Sequence, residues 1–302
     1  MFRLKAVNHS MRHRTVISCN AANPVNYLAC CGILDLLARV DAEALGCWQA
    51  KSPVAFLLDS KPSEGELTAW VIEILCSPSR WMFTCPPAGQ APVRLLVDVA
   101  SPDQPLLPIM LDWWFETSAL DGTIRDKSAW KMYAGQQTIE KIIGDMLTEA
   151  TKLRSGLIGK NLGDLLEQSA EMTGRFGFDP RASRNALEVE YSANDLQLPV
   201  RTFVFAELLA TFGLHSFFPS RTGQTGKVQS TRGWRGTDNG EGEKGFAYCL
   251  WTEPMPILLA RLAATRPYSV CSRTLFSSRA MRKNYSNLTL ARTINSQSQN
   301  ED

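Results

Sequence analysis

Apolar positions recur at helical spacing through NPVNYLACCGILDLLAR, residues 23–39. Leu28, Cys31, Leu34 and Ala38 form one series, and Tyr27, Cys30 and Leu37 a second. Asn23 suits the capping position and Pro24 the first turn, so a helix over about 24–39 is predicted. Gly32 costs that helix about 1 kcal/mol relative to Ala, which points to close approach by another backbone.

Short apolar runs at 53–59 (PVAFLLD), 93–100 (VRLLVDVA) and 246–254 (FAYCLWTEP) predict strands, as do residues 2–7 and 14–18. SEGELTAWVIEIL at 63–75 carries Ser63 and, three residues on, Glu66, the pattern of a capping box at a helix start. Ile139, Ile142, Ile143, Met146 and Leu147 predict another helix, and further helices are expected over 161–171, 200–214 and 256–264. Prolines 86, 87, 92, 102, 105 and 108 place loops on both sides of the 93–100 strand. Residues 173–192 read as loop and short strand. Residues 220–245, rich in Gly, Thr, Arg and Lys, read as a mobile loop or a long-tipped hairpin. The fold class expected is α+β: an irregular mixed domain with helices packed on short sheets and long loops. One arrangement divides it into an N-terminal α/β region (1–160) and a C-terminal α+β region (161–302) carrying the basic loop 220–245; the other is a single domain.

Composition narrows the class. With 302 residues, 44% apolar and 21% charged, the chain has the makings of a substantial globular core. The N-terminal residues lack the sustained apolar stretch of a secretory signal, and no run approaches the ~18 apolar residues of a membrane span. A cytoplasmic location with no membrane partner is therefore expected. Net charge is only +2, but residues 1–34 and 254–300 each contain Lys and Arg and no Asp or Glu. Such basic ends attract phosphate.

Eight cysteines show no C-x-x-C pair, and zinc sites usually show close ligand pairs. Adjacent Cys30 and Cys31 project in different directions from a helix. A disulfide framework is not expected without a secretory signal, so the cysteines read as small buried hydrophobes. His9 and His13 lack the acidic partner of a metalloprotease helix, and no G-x-S-x-G elbow is present. GQTGK at 223–227 lacks the spacing of a phosphate-binding loop, with Val228 where a hydroxyl is needed. Glu188 and Glu190, near Asp179 and Asp195, would share a strand face and could serve a metal-dependent nuclease, although alternation with Leu187, Val189 and Tyr191 accounts for them equally. No catalytic residue, metal ligand set or cofactor is expected.

Basic and aromatic residues interleave in two places. Arg175, Phe176, Phe178, Arg181 and Arg184 form the first set, and Arg221, Lys227, Arg232, Trp234 and Arg235 the second. Cationic groups pair with phosphate and rings stack on exposed bases; Phe176 and Phe178, which alternate, suit a core face equally well.

Three stretches together resemble a known family: NPVNYLACCGILDLLAR (23–39), LDWWFE followed by KMYAGQQT (111–138), and TGRFGFDPRASRNALEVEYS (173–192). They are similar to a CRISPR-associated family of type I-U systems, now grouped with type I-G. Its role resembles that of a compact large subunit of the Cascade surveillance complex. The chain departs from the family pattern at Tyr133 and Arg184, where Trp is expected. The resemblance implies a non-catalytic subunit that works beside the subunits holding a CRISPR guide RNA. It would contact target DNA and the motif flanking the target, and help recruit a helicase–nuclease in trans. It also implies contacts to nucleic acid or to a neighbouring subunit from Lys127, Lys131, Gln136 and Gln137, and a probing role for 221–235. A docking subunit with little nucleic-acid contact is the alternative expectation, and a metal-dependent nuclease the third.

Overall fold

The computed structural model describes residues 11–49, 54–84, 93–101, 105–117, 124–125, 128, 130–133, 137–181, 200–217, 245–265, 271–282 and 285–294. Two helices lie at its centre. Helix α1 (Pro24–Val40) is buried without interruption from Pro24 to Leu37. A helix apolar on all sides belongs in the middle of a protein rather than at its surface. Helix α2 is Glu64–Leu75, opened by the expected capping box: the Ser63 side chain accepts from the Glu66 amide, and the Glu66 carboxylate accepts from Ser63. Helix α3 (Ile139–Leu153) is amphipathic and buries Ile139, Ile142, Ile143, Met146, Leu147 and Ala150. Helix α4 (Leu162–Leu166) is a single short turn, and α5 (Val204–Ser216) is buried from Val204 to Leu214. Helix α6 is Ile257–Thr265.

Helices α1 and α5 cross at paired glycines. A Cβ on Gly32 would strike the Leu209 carbonyl oxygen, and one on Gly213 would strike that of Leu28. The close backbone approach expected at Gly32 is thus to α5, and both helices need a glycine there. The crossing brings residues 24–40 and 204–216 into one contiguous core that spans the expected 160/161 boundary.

The sheets around this pair are small, and every strand pairing among the described residues is antiparallel. Strands β1 (His13–Ser18), β2 (Leu45–Gln49) and β3 (Ala55–Ser60) form a sheet of order β1-β3-β2. Strands β4 (Trp81–Thr84), β5 (Arg94–Val97) and β6 (Ile109–Leu111) follow in simple order. Two ribbons pair β7 (Glu116–Thr117) with β8 (Ile124–Arg125), and β9 (Ala170–Met172) with β10 (Val200–Thr202). The last sheet holds β11 (Gly245–Trp251), β12 (Cys271–Arg282), β13 (Tyr285–Leu288) and β14 (Arg292–Ile294), with β12 at its centre.

Aromatic rings join the layers. Tyr27 of α1 stacks on Trp48 of β2 at 5.3 Å and lies 4.6 Å from Tyr248 of β11. Its hydroxyl donates to the Cys249 carbonyl at 3.2 Å. The Trp251 indole donates to the Gly46 carbonyl at 2.8 Å and its ring meets Trp48 and Phe56 edge-on, so a buried hydrogen bond and ring contacts join the first and last sheets. Strand β11 is buried along its whole length. This is the α+β fold the sequence predicts. Two predictions differ in detail: the helix over 161–171 ends at Leu166 and gives way to β9, and the helix from 200 begins at Val204 after β10. Residues 2–7 and 220–244 lie outside the described residues.

Cysteine usage needs one correction. Cys249 is disulfide-bonded; the spacing of cysteines in a sequence does not reveal which sulfurs the fold brings together. Cys19, Cys30, Cys31, Cys47 and Cys76 are free thiols, and all but Cys19 are buried as expected. No helix among the described residues is long and apolar enough to cross a membrane.

Candidate functional site

The stretches singled out by motif, far apart in the chain, converge on one knot. Asn23 caps α1: its side-chain oxygen accepts from the Val25 amide at 3.2 Å, and its amide nitrogen donates to Asp179 Oδ1 at 3.1 Å. Gly177, at φ +88°, turns the chain between Phe176 and Phe178 in a conformation that only glycine adopts without strain. That turn sends both phenylalanines inward, where they are fully buried. The Trp113 ring meets them edge-on at 5.0 and 5.1 Å, Trp130 meets Phe178 at 5.7 Å, and Tyr133 lies 6.5 Å from Phe176. Gln137 donates to the Thr173 carbonyl at 3.1 Å. The described parts of the quoted stretches thus form one packed unit built around FGFD.

An ionic cluster, largely buried but with the Glu167 carboxylate exposed, adjoins the rings. Asp179 is wholly buried and accepts from Asn23, from the Arg181 amide at 2.9 Å, and from the Arg181 guanidinium at 2.7–3.1 Å. Arg181 also grips both Glu167 oxygens at 2.8 Å, and its guanidinium lies 3.4 Å above the Phe203 ring centroid. Burial works against that cation, but the Asp179 hydrogen bonds and the Asp179 and Glu167 charges outweigh it and raise its pKa. Glu207 of α5 accepts from the Asp179 amide at 3.1 Å through Oε1, and its Oε2 has no hydrogen-bond partner among the described residues. Burial first, and the Asp179 charge second, push the Glu207 carboxyl up to about 8. Arg175 is 7% exposed, and its Nη1 has no such partner either; burial lowers its pKa, while the Glu207 charge opposes that. With Glu207 protonated, the two arginines balance Asp179 and Glu167, and the cluster is neutral. Neutrality is what a low-dielectric interior favours.

These contacts locate the residues singled out for nucleic acid. Arg175 is enclosed and Arg181 is saturated by two carboxylates and a ring, so both serve the fold. Lys131 is half-buried, with its ammonium 5.5 Å from the Tyr133 ring centroid. Gln137 is spent on Thr173. Lys127, Gln136, Arg184, Arg221, Lys227, Arg232, Trp234 and Arg235 lie outside the described residues, as do Glu188, Glu190 and Asp195. The basic ends are partly neutralised internally. Arg12 pairs with Asp59 at 2.6 Å, and Arg261 with Asp35 at 3.0 Å, where Ser216 joins them.

The carboxylates of the knot leave little room for chemistry. Asp179 and Glu167 are taken up by donors from the chain itself. Among the described residues no group of three or more His, Cys, Asp or Glu side chains is placed to hold a metal ion. The arrangement acts as a clamp that fixes residues 173–181 against α1 and α5. Glu207 and Asp35 were not singled out from the sequence. Each is a lone acid in an otherwise apolar helix, VFAELLATF and ACCGILDLLA, and an isolated charge on a buried helix signals a buried partner.

No family model, curated protein or solved structure matches the chain.

Proposed function

We propose that this chain is a non-catalytic, cytoplasmic subunit of an RNA-guided type I CRISPR surveillance complex and contacts target DNA. The observation that carries this reading is the convergence of the three resembling stretches: Asn23 on Asp179, and Trp113, Trp130 and Tyr133 around Phe176 and Phe178. Residues shared with a family because they build its scaffold are expected to meet in this way. A non-catalytic role is supported by the pairing of Asp179 and Glu167 with donors of the chain itself. In this reading the knot is the scaffold, and the contacts to nucleic acid come from Arg221, Lys227, Arg232, Trp234 and Arg235, in the segment that joins α5 to β11. The partners are the guide RNA, the subunits that hold it, and a helicase–nuclease recruited in trans. Base pairing with the guide reads the target, and the protein reads the short flanking motif.

The test is a gel shift on the guide-loaded assembly, comparing wild type with a variant carrying Ala at Arg221, Lys227, Arg232 and Arg235. Each lost phosphate contact takes about 0.9 off the slope of log affinity against log salt. A weaker, less salt-sensitive shift with assembly intact is the expected result. An unchanged shift would remove the segment from the interface.

One observation favours the docking alternative. Leu258, Leu259 and Leu262 of α6 are each more than half exposed, a concentration of apolar surface that suits a subunit contact. Charged substitutions at Leu258 and Leu259 that abolish assembly, alongside a basic-segment variant with normal DNA binding, would select that role.

A further inference from the structure

We propose that Cys19 and Cys30 form a thiol–disulfide modification site, oxidised by a low-molecular-weight disulfide. Their sulfurs lie 3.6 Å apart. A disulfide requires about 2.05 Å, so the pair closes by about 1.5 Å, a displacement within reach of side-chain torsions in the turn that follows β1. The two thiols differ in access. Cys19 is half-buried at that turn, whereas Cys30 is wholly buried in the second turn of α1. Cys31 interacts with the Tyr27 hydroxyl, and the short sulfur–sulfur contact of Cys19 is to Cys30.

This asymmetry sets the order of events. The Cys19 thiolate attacks one sulfur of the small disulfide and expels one small thiolate, leaving a mixed disulfide on Cys19. Cys30 then attacks Cys19 Sγ and expels the second small thiolate, which takes up the Cys30 proton. The protein loses two hydrogens and two electrons, and the small disulfide becomes two thiols. Burial and the neighbouring Cys19 raise the Cys30 thiol pKa, consistent with its being the resolving rather than the first-reacting group.

The bond would close residues 19–30 into a ring around the turn that carries Asn23. Asn23 both caps α1 and holds Asp179. Oxidation would therefore tighten the joint on which the aromatic knot rests.

The experiment uses the full chain treated with oxidised glutathione under native conditions, followed by non-reducing peptide mapping. The expected result is a peptide linking Cys19 to Cys30 with no retained glutathione, and a melting temperature a few degrees above that of the reduced protein. Cys30→Ala should stop at a glutathione adduct on Cys19, and Cys31→Ala should still crosslink. Wild-type protein that retains glutathione on Cys19, links Cys19 to Cys31, or keeps both thiols unmodified would overturn the proposal. The mapping is made on wild type, so a variant that fails to fold does not weaken it.

Discussion

Glu207 offers the sharpest physical test of the buried cluster. Its carboxyl titrates near 8 in the fold, from an ordinary value of 4.5. Between those values the native state holds a proton that the unfolded chain has released, so stability falls as pH rises. A shift of about 3.5 units at about 1.4 kcal/mol per unit amounts to at most roughly 5 kcal/mol. Glu207→Gln keeps the shape of the protonated acid and the acceptor for the Asp179 amide, but cannot ionise. The stability difference, variant minus wild type, should therefore grow steadily from about pH 4 to about pH 9, by on the order of 5 kcal/mol. With an unfolding entropy of about 2.1 cal/mol/K per residue, that corresponds to a relative gain of about 8 °C in melting temperature. Urea unfolding of both proteins at unit pH steps is the assay, and taking the difference cancels every other titrating group. A difference that stays flat over this range, with the variant uniformly weaker, would mean that Glu207 is ionised and paired with Arg175. That result would refute the neutral-cluster argument.

Other substitutions test the clamp piece by piece. Asn23→Ala removes the α1 cap and one Asp179 partner, and should cost about 1–3 kcal/mol in chemical unfolding; an unchanged midpoint would show that the cap is dispensable. Arg181→Ala leaves the wholly buried Asp179 without its cation, and should cost about 3–5 kcal/mol, while the salt dependence of DNA binding by the assembly stays at the wild-type slope. A reduced slope would return Arg181 to the nucleic-acid interface. Gly213→Ala drives a methyl into the Leu28 carbonyl, which cannot yield without separating α1 from α5. Its expected outcome is loss of soluble folded protein, and a normal melting curve would contradict the crossing.

Legibility varied with the kind of signal. Helix α1 was readable from its Asn–Pro start and apolar spacing, and α2 from its Ser63–Glu66 box, because capping is local chemistry. The close approach at Gly32 was readable, but not its partner, since Gly213 lies in a distant helix. Strand β12 went unpredicted: SRTLFSSRAMR mixes Arg and Ser with few β-branched residues, and only pairing with β11, β13 and β14 makes it a strand. The short strands β2 and β4 were missed because their pairing is set by distant segments. In the knot, the alternation of Phe176 and Phe178 allowed a core role, and burial assigns it. Arg175 and Arg181 resembled surface cations, because sequence gives no warning that Glu167, Asp179 and Glu207 surround them.

The most direct test of the proposed function is co-purification. The chain would be expressed with its genomic neighbours and a guide RNA, isolated through a tag on a different subunit, and analysed by size exclusion with quantification of bound RNA. The account predicts that the chain elutes with the guide-containing assembly at a fixed ratio, and that omitting it lowers affinity for target duplex. Elution of the chain apart from every guide-containing fraction, with target binding unaffected by its omission, would contradict the account.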